Sequence, residues 1–145
     1  MEFYMSAAIL PAARILDACS LIAFLRREPG ATVVDALLID ADILCFAHAI
    51  NLCEVYYDIL RTDDASIARQ SIVDLITVGV QAREDIDFAF WQQVGQLKVN
   101  PGKLSLADCF ALALALRMGG TLVTSDHQEF DRIEALGLCP ILFIR

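Results

Sequence analysis

The sequence has no apolar run of the roughly 18 to 20 residues that a membrane-spanning helix requires. Its longest apolar run, Cys109 to Leu116, ends at Arg117. The N-terminal residues are apolar, but Glu2 stands where a secretory signal peptide has its basic residues. We therefore expect a cytoplasmic protein with no membrane segment.

Basic residues are also scarce. The chain has 11 lysines and arginines against 19 aspartates and glutamates, which gives a net charge of −8. A chain with this charge binds nucleic acid or an anionic membrane poorly unless the contact is specific. Binding to RNA would need a local basic patch, or metal ions that bridge protein carboxylates to phosphates.

Several common site motifs are missing. The five cysteines form no C-x-x-C pair, and the two histidines lack the spacing of a zinc site. All five cysteines lie in apolar stretches, so we expect buried, reduced thiols. No G-x-G-x-x-G fingerprint is present, which argues against a dinucleotide site. Cys19 stands where a haloacid dehalogenase has its second aspartate, and Arg26 lies one residue too far from Cys19 for a low-weight tyrosine phosphatase.

What the sequence does have is an alternation of short apolar runs and longer amphipathic runs, which indicates βαβ units around a parallel sheet. It has no repeat, linker or low-complexity tract, so we predict a single domain over residues 1–145. The predicted strands are 14–16, 43–46, 78–82, 121–124 and 141–144. The predicted helices are 19–27, 32–40 (capped by Thr32), 51–61, a helix from Asp63 or Asp64 to 77, 85–97, 105–118 and 128–136.

Two acidic residues directly follow predicted strands. Asp17 follows the first strand, and Asp126 follows the fourth. Ligand sites of open parallel sheets form outside the carboxyl ends of the strands. If these two strands are neighbours, both carboxylates lie at the same edge.

Two further acids, Glu54 and Asp108, lie early in apolar helices. Charges in such surroundings cost free energy unless they have partners, and a bound Mg²⁺ or Mn²⁺ would supply the missing positive charge. Each acid also has a simpler interpretation. Asp17 and Asp126 can be ordinary N-caps, and Asp108 and Glu54 can close capping boxes with Ser105 and Asn51.

These acids lie in motifs that carry a family resemblance. The segments are ILDACSLIAFLRREPG around Asp17, NLCEV around Glu54, LSLADCFALALA around Asp108 and TLVTSD ending at Asp126. In this order and spacing the sequence resembles the PIN-domain ribonucleases, and among them the VapC-type toxins of bacterial toxin–antitoxin pairs.

The resemblance implies a three-layer α/β/α sandwich with a five-stranded parallel sheet. It also implies a metal-dependent endoribonuclease that acts on RNA, forms a homodimer and is inhibited by an antitoxin protein. The cofactor would be one or two Mg²⁺ or Mn²⁺ ions.

Transferred to this sequence, the catalytic residues are Asp17, Glu54, Asp108 and Asp126. Three of them, Asp17, Asp108 and Asp126, are the expected metal ligands, and Glu54 would either act as a ligand or orient the attacking water as a general base. Thr124 and Ser20 are expected to support the site. Lys103 is the preferred RNA-contacting residue, since it lies just before the helix of Asp108; Arg26, Arg27, Lys98 and Arg117 are further basic candidates.

The sequence departs from the family pattern in two places. Cys19 replaces the serine or threonine that the family often has two residues after the first aspartate, and residues 1–13 form an extension before the first strand. The first departure keeps an alternative open, a catalytically inactive PIN-like module that only binds. Among the remaining residues, Phe88, Phe90 and Trp91 are expected in the core or at a dimer surface.

Overall fold

The computed structural model describes residues 12–145. Twelve elements follow one another along the chain: β1 (Ala12–Leu16), α1 (Ala18–Arg26), α2 (Ala31–Ile39), β2 (Ile43–His48), α3 (Ala49–Leu60), α4 (Ala65–Thr77), β3 (Val80–Arg83), α5 (Phe88–Val99), α6 (Leu106–Met118), β4 (Thr121–Thr124), α7 (His127–Leu136) and β5 (Ile141–Phe143). Among these residues no helix is long and apolar enough to cross a membrane.

All five strands are parallel and lie in the order β3-β2-β1-β4-β5. The expected α/β fold with a five-stranded parallel sheet is therefore confirmed. The chain builds the sheet outward from β1 in one direction through β2 and β3, and then in the other direction through β4 and β5. The order of the strands thus reverses between β1 and β4, and crevices at such reversals are where open α/β sheets bind ligands.

Helices cover both faces of the sheet because successive strand residues point to opposite sides. Leu16 and Val123 pack with α1, α2, α3 and α4 on one face. Ile15 and Leu122 pack with α5, α6 and α7 on the other. The three layers of the predicted sandwich are present, and both cores reach the β1–β4 junction.

Local capping explains most helix starts. The side chains of Asp17, Asp64, Asp87, Ser105 and Asp126 each accept a backbone N–H in the first turn of the following helix. The capping interpretations of Asp17, Asp126 and Ser105 are therefore correct. A capping role does not exclude a second role for the same side chain.

Two predicted helix caps are wrong. Thr32 does not cap α2, since the helix begins at Ala31 after Gly30, whose φ of +97° a glycine adopts without strain. Asn51 does not begin α3, because His48 occupies the N-cap and its Nδ1 accepts the Ile50 N–H at 3.1 Å. The predicted capping box of Asn51 with Glu54 is therefore absent.

β1 begins two residues earlier than predicted, so it includes the last part of the expected N-terminal extension. Ala12 and Ala13 belong to the strand, paired with Ile43 and Leu44 of β2. Of the predicted extension over residues 1–13, the part before residue 12 lies outside the described residues.

The cysteines are not uniformly buried as expected. All five are free thiols, and Cys45 and Cys109 are buried, whereas Cys19 and Cys139 are partly buried and Cys53 is exposed. Cys53 lies on the outer face of α3, where helical periodicity turns it away from the buried Leu52.

Candidate metal centre at the carboxyl edge of the sheet

The first site residue, Asp17, lies where β1 ends beside β4. Leu16 pairs with Val123, and the Asp17 N–H donates to the Val123 carbonyl at 3.1 Å. The residue is 1% exposed. Its carboxylate caps α1, accepting the Ser20 N–H at 2.9 Å. Burial raises the pKa of Asp17, although hydrogen bonds from Thr124, Ser20 and Cys19 act in the opposite direction.

Three more carboxylates meet next to this point. Asp108 lies in the first turn of α6, Asp126 caps α7, and Glu129 lies in the first turn of α7. One carboxylate oxygen from each of these three residues can be chosen so that all three atoms lie within 4.8 Å of one another. The acids thus lie at the N-termini of two helices, where the positive ends of the helix dipoles favour negative charge.

Charge crowding is evident at Asp108. Burial, a hydrogen bond to Glu129 and the charges of Asp17 and Glu129 raise the pKa of Asp108 to about 8. Glu54 on α3 is affected by the same negative charges. Burial has the largest effect on its pKa, and the charges of Asp17 and Glu129 raise the pKa further. Asp17, Glu54 and Asp108 thus lie close enough to share electrostatic effects with Glu129 or with one another, and Asp126 lies beside Asp108 and Glu129 by distance.

The acidic side chains of this group lack ion-pair partners in the described part of the chain. Among residues 12–145, none of the ion pairs of arginine, lysine or histidine involves Asp17, Glu54, Asp108, Asp126 or Glu129. The donors are carboxylate oxygens, the ligands that hard divalent cations such as Mg²⁺ and Mn²⁺ prefer. The residues present therefore fit a divalent cation.

Glu129 was not anticipated from the sequence. The available signal was the spacing Asp126-x-x-Glu129, in which both residues share the first turn of one helix. The Glu129 carboxylate also accepts the Ser105 N–H at 3.1 Å, which connects α7 to the start of α6. Asp131, also on α7, instead pairs with His127 at 2.7 Å on exposed surface.

The two expected supporting residues differ in role. The Thr124 hydroxyl accepts the Asp126 N–H at 3.0 Å and lies 3.4 Å from Cys19 Sγ. It therefore lies among the residues that position the acidic side chains. Ser20 Oγ instead donates to the Asp17 carbonyl at 2.9 Å. Ser20 therefore reaches the Asp17 carboxylate chiefly through its backbone N–H.

A buried amide joins the two helices that carry Glu54 and Asp108. Asn51 of α3 is buried, and its Nδ2 donates to the Ala107 carbonyl of α6 at 3.4 Å. Its Oδ1 is the one buried side-chain polar atom without a partner in the part of the chain that the structure describes. Asn51 thus helps to set the distance between α3 and α6.

Most of the basic candidates are already engaged. Arg26 pairs with Asp58, Arg27 with Asp35, and Arg117 with Asp85 and Asp87, while Lys98 donates to the Leu104 carbonyl. Lys103 is exposed, lies in the loop before α6 and makes no ion pair within the described range 12–145. It remains the best-placed of these five for a phosphate.

The fold is that of chains in several solved structures. VapBC from Salmonella typhimurium bound to DNA is 17% identical, with a TM-score of 0.70, covering 92% of this chain and 99% of that one. VapBC-1 from nontypeable Haemophilus influenzae is 17% identical, with a TM-score of 0.67, covering 91% and 98%. VapC20 from Mycobacterium tuberculosis, a sarcin-ricin loop cleaving toxin, is 14% identical, with a TM-score of 0.63, covering 86% and 95%.

Sequence comparison identifies the family directly. No curated protein gives a significant match to the chain. The family model described as the PIN domain matches residues 14–136, a span that contains every acid of the candidate centre. Because this match covers most of the sequence, the chain belongs to the PIN domain family.

Proposed function

We propose that the protein is a metal-dependent endoribonuclease that hydrolyses RNA phosphodiester bonds and acts as the toxin of a toxin–antitoxin module in the cytoplasm. The observation that carries this proposal is the meeting of Asp108, Asp126 and Glu129 within 4.8 Å beside the buried Asp17. These carboxylates lack a basic partner among residues 12–145, and they lie at the strand-order reversal.

The proposed division of labour follows from burial and position. Asp108, Asp126 and Asp17 would hold one or two Mg²⁺ or Mn²⁺ ions, with Glu129 as a further ligand. Bound there, the metal would neutralise charge on the phosphate and favour ionisation of a water. Asp17 is held in place at both ends, because its backbone N–H and its carboxylate each make a hydrogen bond.

Glu54 is proposed to take the proton of the attacking water. It is half-buried, and burial with nearby negative charge raises its pKa toward the range that suits a general base.

Lys103 is proposed to contact an RNA phosphate at the rim of the site. We expect Lys103→Ala to raise the KM for RNA and leave kcat nearly unchanged.

The proposed partners are an antitoxin and a second copy of the chain. Two structurally similar proteins are VapBC assemblies, and a third is a sarcin-ricin loop cleaving toxin. Co-expression with the adjacent small reading frame should give a complex that co-purifies and suppresses cleavage. A neighbouring product that neither binds nor inhibits would contradict the toxin assignment without affecting the nuclease assignment.

The decisive experiment compares RNA cleavage and thermal unfolding with and without Mn²⁺. We expect Mn²⁺ to support cleavage and raise the Tm of the wild type. Asp108→Asn should lose cleavage by at least about 100-fold, because several kcal/mol of transition-state stabilisation depend on the metal. Asp17→Asn should lose the Mn²⁺-dependent rise in Tm.

Asp131→Asn is the matched control, since Asp131 is an exposed acid on α7 outside the candidate centre. This variant should match the wild type in RNA cleavage and in the rise of Tm with Mn²⁺. Equal cleavage by wild type and Asp108→Asn would reject the assignment of the site.

The second candidate is a PIN-like module that binds without cleaving. Cys19, in the position of the family's frequent hydroxyl, is the observation that favours it. A wild type that binds RNA but shows neither cleavage nor a Mn²⁺-dependent Tm would support this module over the nuclease.

A further inference from the structure

We infer that Cys19 is a positioning residue, which holds the carboxylate of Asp17 and the segment leading to Asp126 in the arrangement that binds the metal. This inference rests on the proposed function and concerns a residue that replaces the hydroxyl expected from the family pattern. It assigns the thiol a hydrogen-bonding role and not a place among the metal ligands.

The thiol touches both strand ends that form the site. Cys19 lies in the first turn of α1, and its Sγ is 3.2 Å from each carboxylate oxygen of Asp17, so the S–H donates toward both. On the other side, Sγ accepts the Ser125 N–H at 3.4 Å and lies 3.4 Å from the Thr124 hydroxyl. The β1 and β4 ends are thus joined through one sulfur atom.

These contacts act on the orientation of Asp17. The carboxylate accepts the Ser20 N–H and a hydrogen bond from Thr124, and the thiol adds a further donor that contacts both of its oxygens. A carboxylate held by several donors loses rotational freedom before metal binds, so less entropy is lost on binding. Groups that orient metal ligands in this way typically change metal affinity or activity by about 10-fold to 100-fold when removed.

The contacts on the β4 side reach Asp126. Ser125 directly precedes Asp126, and the Asp126 N–H donates to Thr124 Oγ1 at 3.0 Å, the same hydroxyl that lies beside Cys19 Sγ. Removing the sulfur would leave the Ser125 N–H without this partner and would free the exit of β4 to shift. Asp17 and Asp126 would then no longer be held in register.

The test measures Mn²⁺ affinity by calorimetry, together with kcat and KM for RNA, in the wild type, Cys19→Ala and Cys19→Ser. We expect Cys19→Ala to bind Mn²⁺ at least about tenfold more weakly and to lose kcat with little change in KM. Cys19→Ser keeps a donor and an acceptor and should recover both quantities to within a few-fold. A purely structural thiol would not produce this rescue pattern in metal affinity.

Cys139→Ala is the matched control. Cys139 is also a partly buried free thiol, but it precedes β5 at the opposite edge of the sheet. Its removal should lower stability in the manner of Cys19→Ala while leaving Mn²⁺ affinity unchanged. Unchanged Mn²⁺ affinity in Cys19→Ala, or an equal loss in Cys139→Ala, would overturn the inference.

A measurement on the unmutated protein covers the case in which Cys19→Ala does not fold. Co²⁺ bound by carboxylates alone gives visible d–d bands, whereas a bound thiolate adds an intense sulfur-to-metal charge-transfer band in the near ultraviolet. We expect d–d bands without the charge-transfer band. Its appearance would make Cys19 a metal ligand and refute the positioning role, whereas a wild type that binds neither Co²⁺ nor Mn²⁺ would refute the proposed function itself.

Discussion

At the scale of single residues, the candidate centre is defined by acidic side chains that make no ion pair with any residue from 12 to 145. The pKa of Asp108 is raised to about 8 because burial and the charges of its neighbours act together. Asp85, by contrast, is nearly buried and has cationic partners in Arg83 and Arg117. An acid group without such partners is costly in the metal-free protein, and that cost is what a bound cation would offset.

Glu129→Gln tests this residue-level account. The amide keeps an oxygen to accept the Ser105 N–H, but it removes one negative charge from the group. We expect the Tm without metal to rise, since repulsion is relieved, and Mn²⁺ affinity to fall at least about tenfold. Calorimetry and thermal unfolding would measure both, and a lower Tm with unchanged Mn²⁺ affinity would contradict the account.

At the scale of elements, salt bridges fix the start of α5 against α6. Asp85 is 9% exposed in its side chain and binds Arg83 at 2.8 Å and Arg117 at 3.0 Å, while Asp87 caps α5. This use of Asp85 explains why α5 begins at Phe88 rather than at the predicted residue 85. The charged stretch 84–87 is thus a structural junction on the side of the sheet that carries α5 and α6.

Removing one charge from this junction should lower stability in a pH-dependent manner. Hydrogen bonds from Arg83 and Arg117 lower the pKa of Asp85 to about 2 from its usual 3.8. The contribution of ionised Asp85 to the stability of the folded protein is therefore nearly complete above about pH 4 and is lost as the pH falls toward 2. We expect Asp85→Asn to unfold in urea with a free energy about 2 kcal/mol lower at pH 7, with the difference shrinking below pH 4.

The control for this substitution is Asp74→Asn on α4, whose exposed carboxylate accepts only from Gln70. The amide oxygen can replace that contact, so the free energy of unfolding should stay within about 0.5 kcal/mol of the wild type. A difference between Asp85→Asn and wild type that persists unchanged at pH 2 would contradict the ion-pair explanation.

Two glycines on different elements should respond oppositely to alanine. At Gly30, with φ of +97°, an added Cβ would lie 2.8 Å from the Ile144 carbonyl oxygen. At Gly95, inside α5, an added Cβ meets nothing within 4 Å. We expect Gly30→Ala to cost about 2 kcal/mol or more and Gly95→Ala to gain about 0.5–1 kcal/mol in chemical denaturation. Equal effects at the two positions would disprove the steric argument.

At the scale of the whole molecule, the outer face of α5 is the surface we expect at a dimer interface. Phe88 is 66% exposed, Trp91 47% and Val99 83%. Phe90 is buried in the core, which is one of the two locations, core or dimer surface, expected for these aromatic residues. A groove of about 710 Å³ runs along this face beside Gly95. Exposed aromatic residues of this kind are enriched at protein interfaces.

Trp91→Lys tests the dimer prediction. A lysine there would place charge in the apolar face, so we expect the wild type to sediment as a dimer and the variant as a monomer. Val73→Lys, at an exposed apolar position of α4, should leave the wild-type mass unchanged. A dimeric Trp91→Lys protein would show that the interface lies elsewhere.

The sequence by itself determined the elements and most of the acids. Apolar periodicity and capping chemistry act over a few residues, which is why β4 and the starts of α6 and α7 were predicted within one residue. The acids Asp17, Glu54, Asp108 and Asp126 could be named because each stands next to a strand end or early in an apolar helix. Their functional roles remain predictions.

Only the tertiary structure decided which distant residues meet. The pairing of β1 with β4 brings Asp17 beside Asp126, and no local pattern encodes strand order. Glu129 joined the centre because α7 packs its first turn against the start of α6. Arg26, Arg27 and Arg117 form ion pairs, most of them between different elements, that the sequence did not predict. Such contacts depend on how whole elements pack, which spacing along the chain does not specify.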